Sequence, residues 1–168
     1  MQSSERYRMS RAEPAEFVVD RQVWTSYRPF LVLGSVGVVL GGLLAAVTGP
    51  LALPMGLWGA AYLVLVVGVG QIVLAGGQAF VGGSDLASWR VWSEVMAWNL
   101  GSGIVLVGGM PGIPVVVAVG GLVLLAALVI FATAVRGGGA AVGLYRFFTL
   151  FLAASVAVGV GLSAVRHG

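Results

Sequence analysis

The chain has 168 residues, 59% of them hydrophobic and 9% charged, with a mean hydropathy of +1.03 and a net charge of +3. A soluble domain carries about 25% charged residues, so a water-facing globule is excluded and an all-α integral membrane protein is expected. No cysteine is present, which removes disulfides, thiolate metal sites and cysteine nucleophiles. The nine basic residues, all arginine, are spread along the chain and form no groove for nucleic acid.

Arginine to the exclusion of lysine, with 27 glycines, is the usage of a GC-rich genome, and we read the source as bacterial. The expected location is then the bacterial cytoplasmic (inner) membrane, crossed several times.

Residues 1–29 are expected to be a cytoplasmic segment. SRAEPAEF resembles a helix start, with Ser10 and Glu13 at capping-box spacing and Pro14 at a tolerated early position. Val19, Val23 and Tyr27 then recur at helical spacing beside Trp24, as an interfacial helix would require. Asp20 breaks that stripe, and five arginines against four acids leave only a weak anchor for anionic lipid. A short interfacial helix and a partly ordered tail ending at Arg28-Pro29 are both open readings.

Residues 30–168 are expected to form a five-helix transmembrane domain. A hydrocarbon core of about 30 Å takes roughly 20 apolar residues per helix, and unpaired backbone amides are not left in lipid. The spans read as about 30–48, 57–81, 92–110, 115–135 and 147–165. GPLALPMG and PGIP are tight turns, and RGGGAAVGLYR is a longer connection. A cleaved signal in place of the first span is not expected, because its charged region would be long and rich in acids and TGPLAL is a poor cleavage site.

Charge orients this array. With the N-terminus inside, Arg6, Arg8, Arg11, Arg21, Arg28, Arg90, Arg136 and Arg146 are cytoplasmic and Arg166 alone is outside. Merging or splitting any span would reverse the sidedness of all that follows. Five helices, N-in and C-out, is the expected topology.

Lipid offers helices no hydrophobic drive to associate, so contacts are sought at small residues that let backbones approach. Gly37 and Gly41 form such a pair on the first span, and Ala97 and Gly101 on the third. The fifth carries two rows: Ala153, Ala157 and Gly161, and Ser155, Gly159 and Ser163. Two rows on one helix predict contacts on two sides, within the bundle or with another subunit.

The second span carries Gln71 and Gln78, two helical turns apart on one side. Reflection about a loop centred near Asp85 and Leu86 puts Gln71 at the depth of Asn99 and Gln78 at the depth of Glu94. The expected arrangement is a Gln71–Asn99 bond facing the third helix, with Ser102 one turn further along. Such groups either join helices or line a polar pathway. Glu94 is expected near the cytoplasmic interface, in a screened surface pair with Arg90 at i, i+4. The aromatic residues Trp58, Tyr62, Trp89, Trp92 and Tyr145 read as interfacial anchors, and Trp98 as core or lipid-facing.

Ordinary catalytic chemistry is not expected. The one histidine, His167, is penultimate; no base accompanies a serine; no metal, haem or phosphate-loop motif is present. The chain is thus expected to be no enzyme, to need no cofactor or metal, and to have the bilayer, other membrane subunits or itself as partners. Three functions remain open: association as an accessory or assembly subunit or homo-oligomer; passage of a neutral or weakly polar solute past Gln71, Gln78, Asn99 and Ser102; or lipid-headgroup binding at Arg90, Glu94, Arg136 and Arg146.

Overall fold

A computed structural model of the protein describes residues 21–82 and 88–167. The described residues are helical apart from short turns. We label the helices α1 (Arg21–Thr48), α2 (Gly56–Tyr62), α3 (Gln71–Gly82), α4 (Ser88–Gly109), α5 (Pro114–Ala134) and α6 (Ala140–His167), with a π-helical stretch, Leu63–Gly70, joining α2 to α3 in one continuous rod. Four stretches are long and apolar enough to cross a membrane: 26–48, 56–81, 114–134 and 140–165. Helix α4 is long but less apolar, since it begins SWRVWSE.

Two boundaries differ from the sequence reading. The first helix does not start at Phe30: it runs unbroken from Arg21 through Pro29. A proline inside a helix removes one backbone bond and crowds the preceding turn, but Phe30 and Tyr27 on either side of it are buried, and that packing outweighs the local preference. The last helix starts at Ala140, so Tyr145 and Arg146 belong to it. The connection shrinks to Val135–Gly139, where Gly137 and Gly139 take positive φ values of 113° and 128° that a side chain would oppose. The N-terminal stripe before residue 21 and the loop centre at Asp85 and Leu86 lie outside the described residues.

The turns follow from their residues. After α1 the chain reverses through Leu51 N–H to the Val47 carbonyl and Leu53 N–H to the Thr48 carbonyl, and the Thr48 hydroxyl donates back to the Leu44 carbonyl at 2.6 Å. Between α4 and α5, Ile113 N–H bonds the Gly108 carbonyl at 2.8 Å, Gly112 adopts φ 73°, and Pro114 opens the next helix, where its missing N–H costs nothing.

Glycine then sets how the rods pair. A Cβ placed at Gly41 would lie 2.8 Å from the Ala60 carbonyl oxygen, and one at Gly37 3.1 Å from the Gly68 nitrogen, so α1 lies backbone to backbone on the π-containing rod. A Cβ at Gly120 would lie 2.6 Å from the Val105 nitrogen, and one at Gly101 2.9 Å from the Leu124 nitrogen, so α4 and α5 are equally close. These are two antiparallel hairpins fused by small residues. Backbones of different hairpins stay farther apart, and α6 lies along α5 with a lesser contact to α3. The joint between hairpins is filled by long side chains, among them Tyr27, Phe30, Leu74, Trp98 and Phe131. Phe131 meets Phe30 at 5.7 Å between centroids and Trp98 edge-on at 6.1 Å.

Candidate functional site

Gln71, Gln78, Glu94 and Asn99 gather in that joint. Because the rod and α4 are antiparallel, the two glutamines of α3 fall opposite two polar residues of α4. The Asn99 side-chain amide donates to Gln71 Oε1 at 3.0 Å and to the Val95 carbonyl at 2.8 Å. One level nearer the arginine-bearing end, Gln78 Nε2 donates to Glu94 Oε1 at 3.0 Å. Both glutamines and Glu94 are fully buried.

Glu94 therefore does not occupy the surface position expected of it. An acid four residues after an arginine is the pattern of an exposed pair, but here the side chain is fully buried against Gln78 of α3, with Tyr27 and Tyr145 of the first and last helices within electrostatic range. Arg90 Nε stays 3.8 Å from Glu94 Oε1. The Arg90 guanidinium turns instead to the end of α5, donating to the Ile130 carbonyl at 3.2 Å and the Thr133 hydroxyl at 2.9 Å. Arg146 donates to the Val135 carbonyl at 3.2 Å. Two arginines thus satisfy carbonyls at the C-terminus of α5, where a cation is favoured, and Arg136 is exposed in the turn that follows.

Around Glu94 several buried oxygens lack hydrogen-bond partners: Glu94 Oε2, Gln78 Oε1 and the hydroxyls of Tyr27 and Tyr145. Both tyrosines lie within electrostatic reach of the carboxylate. The Tyr145 ring crosses α3 beside Gln78, since a Cβ at Gly77 would lie 2.9 Å from it. Thr149 is near the Tyr145 hydroxyl, but its own proton goes to the Tyr145 carbonyl at 2.9 Å.

Around Asn99 the arrangement is looser. Ser102 is buried but does not reach Gln71; its hydroxyl approaches that of Tyr62 without a well-directed bond, and Gln71 Nε2 is also unbonded. Trp98 belongs to the core and donates its indole N–H to the Val66 carbonyl at 3.2 Å, inside the π-helical stretch. A wider turn there presents a carbonyl sideways, and such stretches recur at functional sites. Tyr62 and Tyr145 are not simple interfacial anchors, because both hydroxyls are buried; Trp89 and Trp92 are exposed on the outer surface of α4.

A groove of about 520 Å³ opens at the other end of the bundle, between α6 and the remaining helices. Trp58, Tyr62, Trp98, Val156, Gly159 and Ser163 are among its lining residues, and Gln71, Gln78, Asn99 and Ser102 are not. Trp58 stacks on Tyr62 at 5.4 Å between centroids and spans the gap to Gly109.

The small residues divide into two sets. Gly37, Gly41 and Gly101 are buried in the hairpins and Ala97 is half-buried beside them. On α6, Ala153 and Ser163 are half-buried, whereas Ala157, Gly159, Gly161 and Ser155 are exposed. The Ser155 hydroxyl turns back to the Phe151 carbonyl at 2.9 Å. Among the described residues no group of histidine, cysteine and acidic side chains is placed to hold a metal ion. Comparisons with protein-family models, with curated proteins and with solved structures find no match to this chain.

Proposed function

We propose that the protein is a multi-pass component of a bacterial cytoplasmic membrane, crossing it five times with its N-terminus inside, and that it works by association through α6. It carries no reaction of its own on this reading. Its partner is a small-residue helix face, supplied by another membrane subunit or by a second copy.

The observation that carries the reading is the state of α6. Only 6% of its most apolar stretch is buried, against 39% for α5. A Cβ added at Gly159 or Gly161 would meet no atom within 4 Å, whereas one at Gly37, Gly41 or Gly101, in the small-residue pairs of the first and third spans, would meet neighbouring backbone. Helices in lipid approach one another through such faces, and the groove beside this one adds a recess that a partner side chain can enter. A solute pathway through the amides has less support, since Asn99 bonds Gln71 and Gln78 bonds Glu94. Headgroup binding is weakened likewise, because Arg90 and Arg146 are engaged at α5.

The test is extraction in mild detergent followed by mass measurement of the intact complex, for the native chain and for Gly159→Leu with Gly161→Leu. The native protein is expected as an oligomer or with a stoichiometric partner. The double variant is expected to keep its helix content and thermal stability while losing the larger species. A native protein that runs only as a monomer, with nothing co-purifying, would overturn the proposal.

A further inference from the structure

Glu94 is the one acidic side chain that the described residues bury inside the bundle, and an ionisable group at such a place is a functional site by default. It is incompletely neutralised. Gln78 Nε2 holds Oε1 at 3.0 Å, while Arg90 stands 3.8 Å off with its guanidinium bonded to α5. Oε2 accepts nothing.

The surroundings suit either form of the carboxyl. When ionised, it has the Gln78 amide proton at Oε1, and the Tyr27 and Tyr145 hydroxyls, buried and unbonded, lie within electrostatic range of it. For the neutral form, Gln78 Oε1 and the same two tyrosine oxygens are uncommitted acceptors in the same joint. Four helices contribute to this arrangement: Tyr27 from α1, Gln78 from α3, Glu94 and Arg90 from α4, and Tyr145 from α6. From α5 the facing groups are the uncharged Thr133 and the Ile130 carbonyl, both occupied by Arg90.

We propose that Glu94 is a proton-binding site: one proton adds to Oε2, the carboxylate becomes a neutral acid, and Arg90 keeps its charge, so the site passes from net zero to +1. The proton exchanges with the aqueous phase on the Arg90 side, where that side chain is 21% exposed. A proton is also the cation that needs no cavity, and the groove described above does not reach Glu94. The site lies in the joint between the two hairpins, so its charge acts on the contact between them. This inference is independent of the association proposed for α6.

The test is an infrared pH titration of the full-length protein in phosphatidylcholine vesicles, following the carbonyl band of a buried protonated carboxyl. The native chain is expected to gain this band as pH falls, Glu94→Asp to keep it at a displaced frequency, and Glu94→Gln to lack it. Changing Na⁺ at constant pH is expected to leave the midpoint in place. Should Glu94→Gln fail to fold, Gln78→Leu retains the acid and removes both the amide bond to its ionised form and an acceptor for its neutral form, of which the charge-assisted bond is the stronger. Its midpoint is then expected to move to higher pH by about one unit or more. Identical native and Glu94→Gln spectra, an unmoved midpoint in Gln78→Leu, or a midpoint that follows Na⁺ would each overturn the assignment.

Discussion

Asn99 uses both protons of its amide, one on Gln71 across the joint and one on the Val95 carbonyl of its own helix. Pairs of this kind are worth about 0.6 kcal/mol on average between membrane helices, so the bond fixes register more than it stabilises. Breaking it from one side should be worse than removing it. Asn99→Leu orphans the buried Gln71 oxygen, which costs about 1–3 kcal/mol, whereas Gln71→Leu with Asn99→Leu leaves no such group. We expect the single Asn99 variant to unfold more readily in detergent than the double variant; the reverse order would mean that the amides bind something besides each other. The depth of this pair was legible from the sequence because reflection about a short loop needs only spacing. The burial of Glu94 was not. Arg90 and Glu94 show the same i, i+4 spacing whether exposed or covered, and the groups around Glu94 come from other helices: Gln78, and Tyr27 and Tyr145, which lie 67 and 51 positions away in the chain.

At the scale of the helices, two fused pairs meet at a side-chain-filled joint, and glycine position decides which contacts are close. Gly120 illustrates the consequence. An added Cβ would strike the Val105 nitrogen at 2.6 Å and the Gly101 carbonyl oxygen at 2.9 Å, both backbone atoms that cannot rotate aside. Gly120→Ala is therefore expected to push α5 from α4 and to destabilise the bundle by about 1–3 kcal/mol, with a lower unfolding temperature in detergent. Gly159→Ala, with open space around it, should leave that temperature unchanged. Equal effects at the two positions would contradict the hairpin description. Hydropathy located the long helices well, because lipid permits little besides a continuous apolar helix. It missed their ends, where Pro29 and the Tyr145-Arg146 pair read as breaks but are held in helix by packing and by the Val135 carbonyl. It also missed the π-helical stretch, since LVLVVGVG is as apolar as any α-helical segment beside it and the Trp98 indole that bonds its Val66 carbonyl comes from a helix distant in the chain.

For the whole molecule, the proposed topology depends on α4 crossing the bilayer, although it is the long helix least suited to do so by composition alone. Its polar residues are turned inward: Glu94 and Ser102 are buried, Asn99 is bonded, and Arg90 is engaged at the end of α5. A helix so satisfied by its neighbours can span without being strongly apolar, and on the proposed topology it and the four apolar stretches make an odd number of crossings. The antiparallel order of the helices then brings Arg28, Arg90, Arg136 and Arg146 to one end, as the bias of arginine toward the cytoplasm requires. The absence of native cysteine makes the decisive measurement direct: Ser4→Cys and Gly168→Cys, introduced one at a time, are challenged in intact cells with a thiol reagent that cannot cross the membrane. The account predicts that Gly168→Cys reacts from outside and Ser4→Cys reacts only after the membrane is opened. Equal reactivity of the two positions would mean an even number of crossings and would contradict it.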